Sequence, residues 1–301
     1  MKLYYYDSIH GNVGDDLNRY LWEELYRIKF DVNSDKLFLG IGTILNKRIP
    51  YSASYVVAGS GVGYGDLPNT GVGEWTFVGV RGYESRRALG LAGNIPCIDP
   101  AYLAPRWFNP RRPSSRSITG VIPHVGSIIS MPWQEACKNL GLKILDVRSK
   151  PRVFIRELVK CDRVLCEAMH GAILADAYGI PWQPIRAHPK ISARKCDDWG
   201  SSIGAKIDPF TIPEAYLERY AYRGMLRVKD GVKRYFSLLG IEGRDWWRGG
   251  TLPDSTRSMF NNFQDALRSS QYNEFQLTEN STKQELVGLF DHNLRDYLSG
   301  K

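Results

Sequence analysis

The 301 residues hold 43% hydrophobic and 24% charged side chains, the balance of an ordinary soluble globular protein with length enough for two domains. Forty Lys and Arg against 32 acids give a formal net charge of +8, which favours an anionic substrate or surface without choosing between nucleic acid, phosphorylated metabolites and anionic lipid. No apolar run approaches the roughly 20 residues that span a bilayer, the N-terminus turns polar too early for a signal peptide, and the five cysteines show no CxxC pair or zinc-ligand spacing, so a reduced cytoplasmic chain without a metal is expected.

Strand and helix signals alternate from the start. Leu3 to Tyr6 reads as a strand, and Leu17, Leu21, Trp22, Leu25 and Ile28 give helical spacing over Asp15 to Ile28. Leu37 to Ile41 and Tyr55 to Ala58 are short apolar runs ending in glycine-rich turns. Trp75 to Val80 predicts a strand, Tyr83 to Leu91 a helix, and Ile95 to Ile98 a further strand. Ala104 to Ser117, with three prolines, four arginines and three serines, reads as a linker.

The alternation then restarts: strand Ile118 to Ile122, helix Trp133 to Leu140, strand Leu142 to Val147, helix Arg152 to Lys160, strand Arg163 to Leu165, a helix opening at His170, and strand Gln183 to Arg186. Strands separated by single helices imply parallel sheets. The expected fold is therefore α/β, with an N-terminal Rossmann-like domain over 1–105, a second over 118–212, and a helical tail over 213–301 packing across both. In the tail, Thr282-x-x-Glu285 resembles a capping box opening an amphipathic helix.

Four of the five histidines, His10, His124, His170 and His188, fall in loops just after predicted strands. His170 stands out. It sits at the carboxyl edge of a parallel sheet beside a helix start, with Met169 and Gly171 as neighbours, where open α/β sheets bind ligands and helix N–H groups meet anions. An imidazole there can act as proton donor near neutral pH. In the first loop, His10-Gly11-Asn12-Val13-Gly14-Asp15-Asp16, Asn12, Asp15 or Asp16 can cap the helix, and the same turn is a candidate ligand contact; it lacks dinucleotide and P-loop spacing. In Gly59-Ser60-Gly61-Val62-Gly63-Tyr64-Gly65, the amides at Gly61 and Gly63 can face a ligand. Arg81 at a strand end and Lys195 are candidate anion contacts.

Taken in order, the GNVGDDL turn, the GSGVGYG loop, the VRGYES segment and the MHGAILADAYGIPW block resemble the polysaccharide pyruvyl transferase family. The likeness is closest to the exopolysaccharide ketal-pyruvate transferases of the xanthan and succinoglycan type, and Ile-Pro-His at His124 and Lys-x-x-Asp-Trp at Lys195 to Trp199 add to it. It covers most of residues 1 to 205. Many members of the family carry Arg-Leu-His-Gly where this chain has Ala168-Met169-His170-Gly171, which leaves one anion contact for Arg186 or Arg194 to supply.

The resemblance implies two Rossmann-type domains in a glycosyltransferase-B-like arrangement, with the acceptor on the first and phosphoenolpyruvate on the second. It implies transfer of pyruvate onto two hydroxyls of a sugar, on a lipid-linked oligosaccharide at the inner membrane face, as a cyclic ketal and without a further cofactor. His170 would then be the general acid, His124 would orient the donor or accept a hydroxyl proton, and Arg81 and Lys195 would hold the anion. The basic segment 219–234 and Trp246-Trp247-Arg248 are candidates for peripheral contact with an anionic membrane. The runner-up is a nucleotide-sugar-dependent glycosyltransferase of the same fold. No nucleic-acid reading motif is present.

Overall fold

The computed structural model describes residues 1–114, 117–188, 191–216 and 257–300. Its strands form two parallel sheets. The first has the order β1 (Lys2–Tyr4), β2 (Lys36–Leu39), β3 (Ser54–Ala58) and β4 (Glu74–Gly79). The second has the order β6 (Lys143–Ile144), β5 (Thr119–Ile122), β7 (Arg163–Cys166), β8 (Trp182–Arg186) and β9 (Phe210–Thr211).

The second sheet is a full α/β alternation. Helices α5 (Val125–Ile128) and α6 (Trp133–Leu140) link β5 to β6, α7 (Pro151–Leu158) links β6 to β7, α8 (Met169–Ala177) links β7 to β8, and α9 (Ala193–Ser202) links β8 to β9. Because β5 lies between β6 and β7, chain direction across the sheet reverses there. The crevice outside the carboxyl ends of β5 and β7 is thus a topological switch point, the place where such sheets take ligands. His124 follows β5 and His170 follows β7.

The first sheet departs from the expected alternation. Helices α1 (Val13–Asp16) and α2 (Leu21–Tyr26) follow β1 and α3 (Tyr83–Ala88) follows β4, whereas β2, β3 and β4 are joined by loops. The expected helix over Asp15 to Ile28 is broken by a 3₁₀ turn at Leu17–Arg19. The buried Asn18 side chain accounts for the break. Its amide donates to the Asp15 and Ile41 carbonyls, and its oxygen accepts from the Ile41 amide and the Trp22 indole, tying this turn to the end of β2. The strand expected over Ile95 to Ile98 is reduced to one parallel bridge between Cys97 and Val80.

Part of the expected linker is core. Ala104 and Trp107 are buried in helix α4 (Ala104–Trp107), which follows a buried 3₁₀ turn (Pro100–Leu103). One apolar cluster runs from Phe38 and Val56 of the first sheet to Ile122 and Val164 of the second.

In the tail, helix Arg257–Ser270 sets Phe263 against Trp133 of α6, and helix Asn280–Ser299 sets Phe290 against Trp22. The latter helix begins at Asn280, two residues before its supposed capping box, with no side-chain cap. Segment 219–234 and Trp246 to Arg248 lie outside the described residues. Among the described residues, no helix is long and apolar enough to cross a membrane.

Candidate active site

Helix α8 is buried from Met169 to Asp176, an apolar helix packed on β7 and β8 and covered by α1, α4 and the Pro100–Leu103 turn. Gly171 makes the seat possible, since a Cβ there would lie 2.5 Å from Ile122 Cγ2 of β5. The same crowding governs His170. A Cβ on Gly14 of α1 would lie 2.0 Å from both Cγ and Nδ1 of the imidazole, so the ring occupies the space left by a missing side chain. The His170 ring is 8% exposed, and its Nε2 faces Asp99 Oδ2 at 3.6 Å.

Asp15 joins this group from α1. Its Oδ2 accepts from Asn12 Nδ2 at 2.6 Å, while Asn12 Oδ1 caps α1 by accepting from the Gly14 amide. Burial pushes the Asp15 carboxyl up to about 6, against the pull of His170 and Lys195. Asn12 therefore acts as cap and as carboxyl holder at once.

Across the crevice, Glu167 organises the second sheet's edge. It follows β7 and accepts from the His124 amide (2.8 Å) and the Ser127 hydroxyl beyond β5, and from the Ala187 (3.0 Å) and His188 (2.7 Å) amides beyond β8. Burial raises its pKa and these four donors oppose the rise. One carboxylate thus fixes three strand ends. His124 caps α5 through Nδ1, which accepts from the Gly126 amide at 3.1 Å, so its proton sits on Nε2. Burial first, then the Lys195 and His188 charges, press its pKa down to about 3. A neutral imidazole with one outward N–H can orient a ligand; it is not a store of protons near neutrality.

Arg81 is buried and paired within the protein. It has zero exposure, and its guanidinium donates to Asp198 Oδ2 (2.9 Å), Thr43 Oγ1 (2.6 Å) and the Val62 carbonyl (2.6 Å). Asp198, also fully buried, further accepts from the Ser85 amide and hydroxyl. The pair bolts α9 to the start of α3, where a Cβ on Gly82 would lie 1.7 Å from the Asp198 carbonyl oxygen. In this structure the Arg81 charge, expected to meet a substrate anion, is paired with Asp198 inside the protein.

Gly61 is engaged within the protein too. Its amide donates to the Gly42 carbonyl, and its bare Cα leaves room for the Arg81 guanidinium, 2.3 Å from where a Cβ would lie. Gly63, at φ +154°, likewise gives clearance to Thr43 and to Lys195.

Lys195, half-buried on α9, is the cation nearest the cluster. It influences Asp15 and His124 alike, its Nζ lies 5.9 Å from the Tyr64 ring centroid, and it makes no ion pair among the described residues. Met169 and Arg186 border an apolar pocket at the ends of β7 and β8, with Glu167, Ala172, Trp182, Cys196 and Trp199. Among the described residues, no group of three or more His, Cys, Asp or Glu is arranged to hold a metal ion.

The structure therefore gathers His170, Asp15, Asn12, Lys195 and His124, pairs Arg81 and Gly61 within the protein, and places Met169 and Arg186 in the pocket that Glu167 also lines. Two residues enter that sequence reasoning passed over. Asp99 carried a local signal, an Asp before Pro at a strand end, which reads as a cap and does cap its turn through Oδ1 to the Ala101 amide. Glu167 carried none.

No protein-family model matches the chain, and no solved structure matches it. The succinoglycan biosynthesis protein ExoV of Rhizobium meliloti (strain 1021) is 35% identical over 235 residues, which span 75% of this chain and 73% of that protein. Together with the ordered motifs from the first loop to the His170 helix, this likeness shows that the chain belongs to the polysaccharide pyruvyl transferase family.

Proposed function

We propose that the protein moves pyruvate from phosphoenolpyruvate onto two hydroxyls of a sugar in an exopolysaccharide precursor, forming a cyclic ketal and releasing phosphate. The observation that carries this reading is the meeting of His170, Lys195 and His124 at the switch point of the second sheet, against the Asn12–Asp15 turn of the first. The two sheets would form the two lobes of a glycosyltransferase-B-like enzyme, with the donor against α8 and α9 and the sugar against the first-sheet loops.

In this scheme His170 gives a proton to the methylene carbon. The carbon bearing the phosphate gains oxocarbenium character, and one hydroxyl attacks it. The second hydroxyl displaces phosphate. Of the two hydroxyl protons, one restores the imidazole and the other leaves with phosphate, so the balance closes. Lys195 faces the donor's negative charge, His124 offers its Nε2–H to an oxygen, and the open N–H groups at the start of α8 supply further donors. Positioned acid–base groups contribute about 10²–10⁴-fold and oriented charges add to that.

The acceptor is taken to be lipid-linked, with the protein at the inner membrane face. The test is phosphate release from phosphoenolpyruvate over a panel of pyranosides, with mass analysis for the ketal. His170→Ala should abolish turnover and leave phosphoenolpyruvate binding by calorimetry near its original strength. Thermal stabilisation by nucleotide sugars and none by phosphoenolpyruvate would transfer the protein to the glycosyltransferase reading.

A further inference from the structure

Two buried polar atoms face one another with no other partner among the described residues: Asp99 Oδ2 and His170 Nε2. A carboxylate with zero exposure is expensive to leave unpaired, and an orphan of this kind in a folded protein calls for a reason. Each orphan answers the other. At 3.6 Å the carboxylate lies within ion-pairing range of an imidazolium, some 0.8 Å beyond a charge-assisted hydrogen bond.

Both partners are held in place. Asp99 Oδ1 is pinned by the Ala101 amide at 2.9 Å and followed by Pro100, while the His170 ring is wedged against Gly14. The other charges facing the pair are Asp15, with Asp16 behind it, on α1, and Lys195 on α9. Asp99 belongs to the first half of the chain and His170 to the second, so the pair exists only while the halves are joined.

We infer that Asp99 is the positioning residue of His170: it holds a proton on Nε2, balances the imidazolium charge and leaves Nδ1 to deliver the proton to the donor's methylene carbon. This rests on the reading of His170 as the acid. Buried carboxylates serve histidines in this way elsewhere, fixing tautomer and ring orientation without themselves exchanging protons with substrate. In the transfer, the Nδ1–H bond breaks, the C–H bond forms, and the ring recovers its proton at Nδ1 from the attacking hydroxyl, with Nε2–H facing Asp99 throughout.

The experiment compares the wild type with Asp99→Asn. The expected result is a kcat lower by about 10²-fold with KM for phosphoenolpyruvate within about twofold, because the lost interaction acts on the transition state. The solvent deuterium isotope effect on kcat should also rise as proton delivery becomes limiting, a change that loosened packing alone would not produce. An unchanged kcat and isotope effect would overturn the inference.

A second arm needs no turnover. Imidazole ¹⁵N spectra of the wild-type protein, with His170 assigned by its loss in His170→Gln, should show the proton on Nε2, and Asp99→Ala should redistribute it. A wild-type proton confined to Nδ1, or identical spectra in both proteins, refutes the pairing. Absence of any ketal from the wild type would instead count against the proposed function, while the spectra still decide the pairing.

Discussion

Replacing Asp198 by Ala should test whether Arg81 is a brace or an anion contact. Both side chains have zero exposure, so the pair sits where water does not screen it. Removing Asp198 leaves a buried guanidinium with only Thr43 and the Val62 carbonyl, and strips the Ser85 amide and hydroxyl of their acceptor. Breaking one side of a buried, hydrogen-bonded pair costs about 3–5 kcal/mol. An exposed pair such as Arg19–Asp7 is worth about 0–1 kcal/mol.

The loss is measurable as urea unfolding followed by tryptophan fluorescence, with a melting temperature lowered by roughly 5–10 °C for a chain of this size. The double change Arg81→Met with Asp198→Leu should cost less than Asp198→Ala alone, because no buried charge is stranded. The reasoning fails if Asp198→Ala changes stability by less than about 1 kcal/mol, the range of a surface pair. It fails equally if Arg81→Ala leaves stability intact and raises KM for phosphoenolpyruvate by about tenfold or more, the mark of lost substrate binding.

Gly14→Ala should lower kcat by about 10²-fold or more, because its methyl would claim the space of the His170 ring and a displaced acid loses most of its effect. Far-ultraviolet circular dichroism should stay native, and full activity would show that the ring is not held there. For pH dependence, His124 resists protonation down to about 3, so between the unfolded value of about 6.5 and 3 the unfolded chain binds the extra proton and stability falls with falling pH. Asp15, raised to about 6, acts oppositely between 3.8 and 6, where the folded chain holds the proton, so the two nearly cancel. His124→Asn keeps a capping side chain and removes one side of that balance, so unfolding free energy relative to wild type should climb by up to about 1.4 kcal/mol per pH unit as pH drops from 6 to 4. A parallel pair of stability curves refutes it.

Most strands were legible because short β-branched runs such as Tyr55-Val56-Val57 bounded by glycine have few other uses, and β2 through β8 fall within a few residues of expectation. The position of His170 was legible too, since a strand, a turn and a helix in succession place the turn at a sheet edge. What the sequence hid were matters of pairing across distance. Arg81 and Asp198 are 117 residues apart, and nothing local marks one as the other's counter-ion. The glycine-rich loop looked like an amide cradle, yet the Gly59, Gly61 and Val62 amides are engaged by Gly79, Gly42 and Ser85. The helix break at Leu17–Arg19 depends on Asn18 reaching the backbone of β2, which helical periodicity cannot register. Trp107 looked like part of a polar linker because its neighbours are Arg and Pro, but Arg152 stacks on it at 4.5 Å and Tyr20 at 5.2 Å.

The turn Pro100–Leu103 joins the imidazole to the end of α8 where the distant tail attaches. Asp99, which caps the turn, meets His170 at the start of α8, and Tyr102, three residues on, donates its hydroxyl at 2.7 Å to Asp176 near the helix's other end. Six residues of helix span about 9 Å, a distance that one short turn and two side chains can bridge, so a single element of the first half grips α8 at both ends. Asp176 is also where the tail attaches. Its carboxylate accepts from the Trp182 indole (3.0 Å) and the Thr278 amide (2.8 Å), and its carbonyl accepts from Lys283 (2.8 Å). Loosening the tail would free the far end of α8 first. The amino end would stay held at His170, against Gly14 and Asp99.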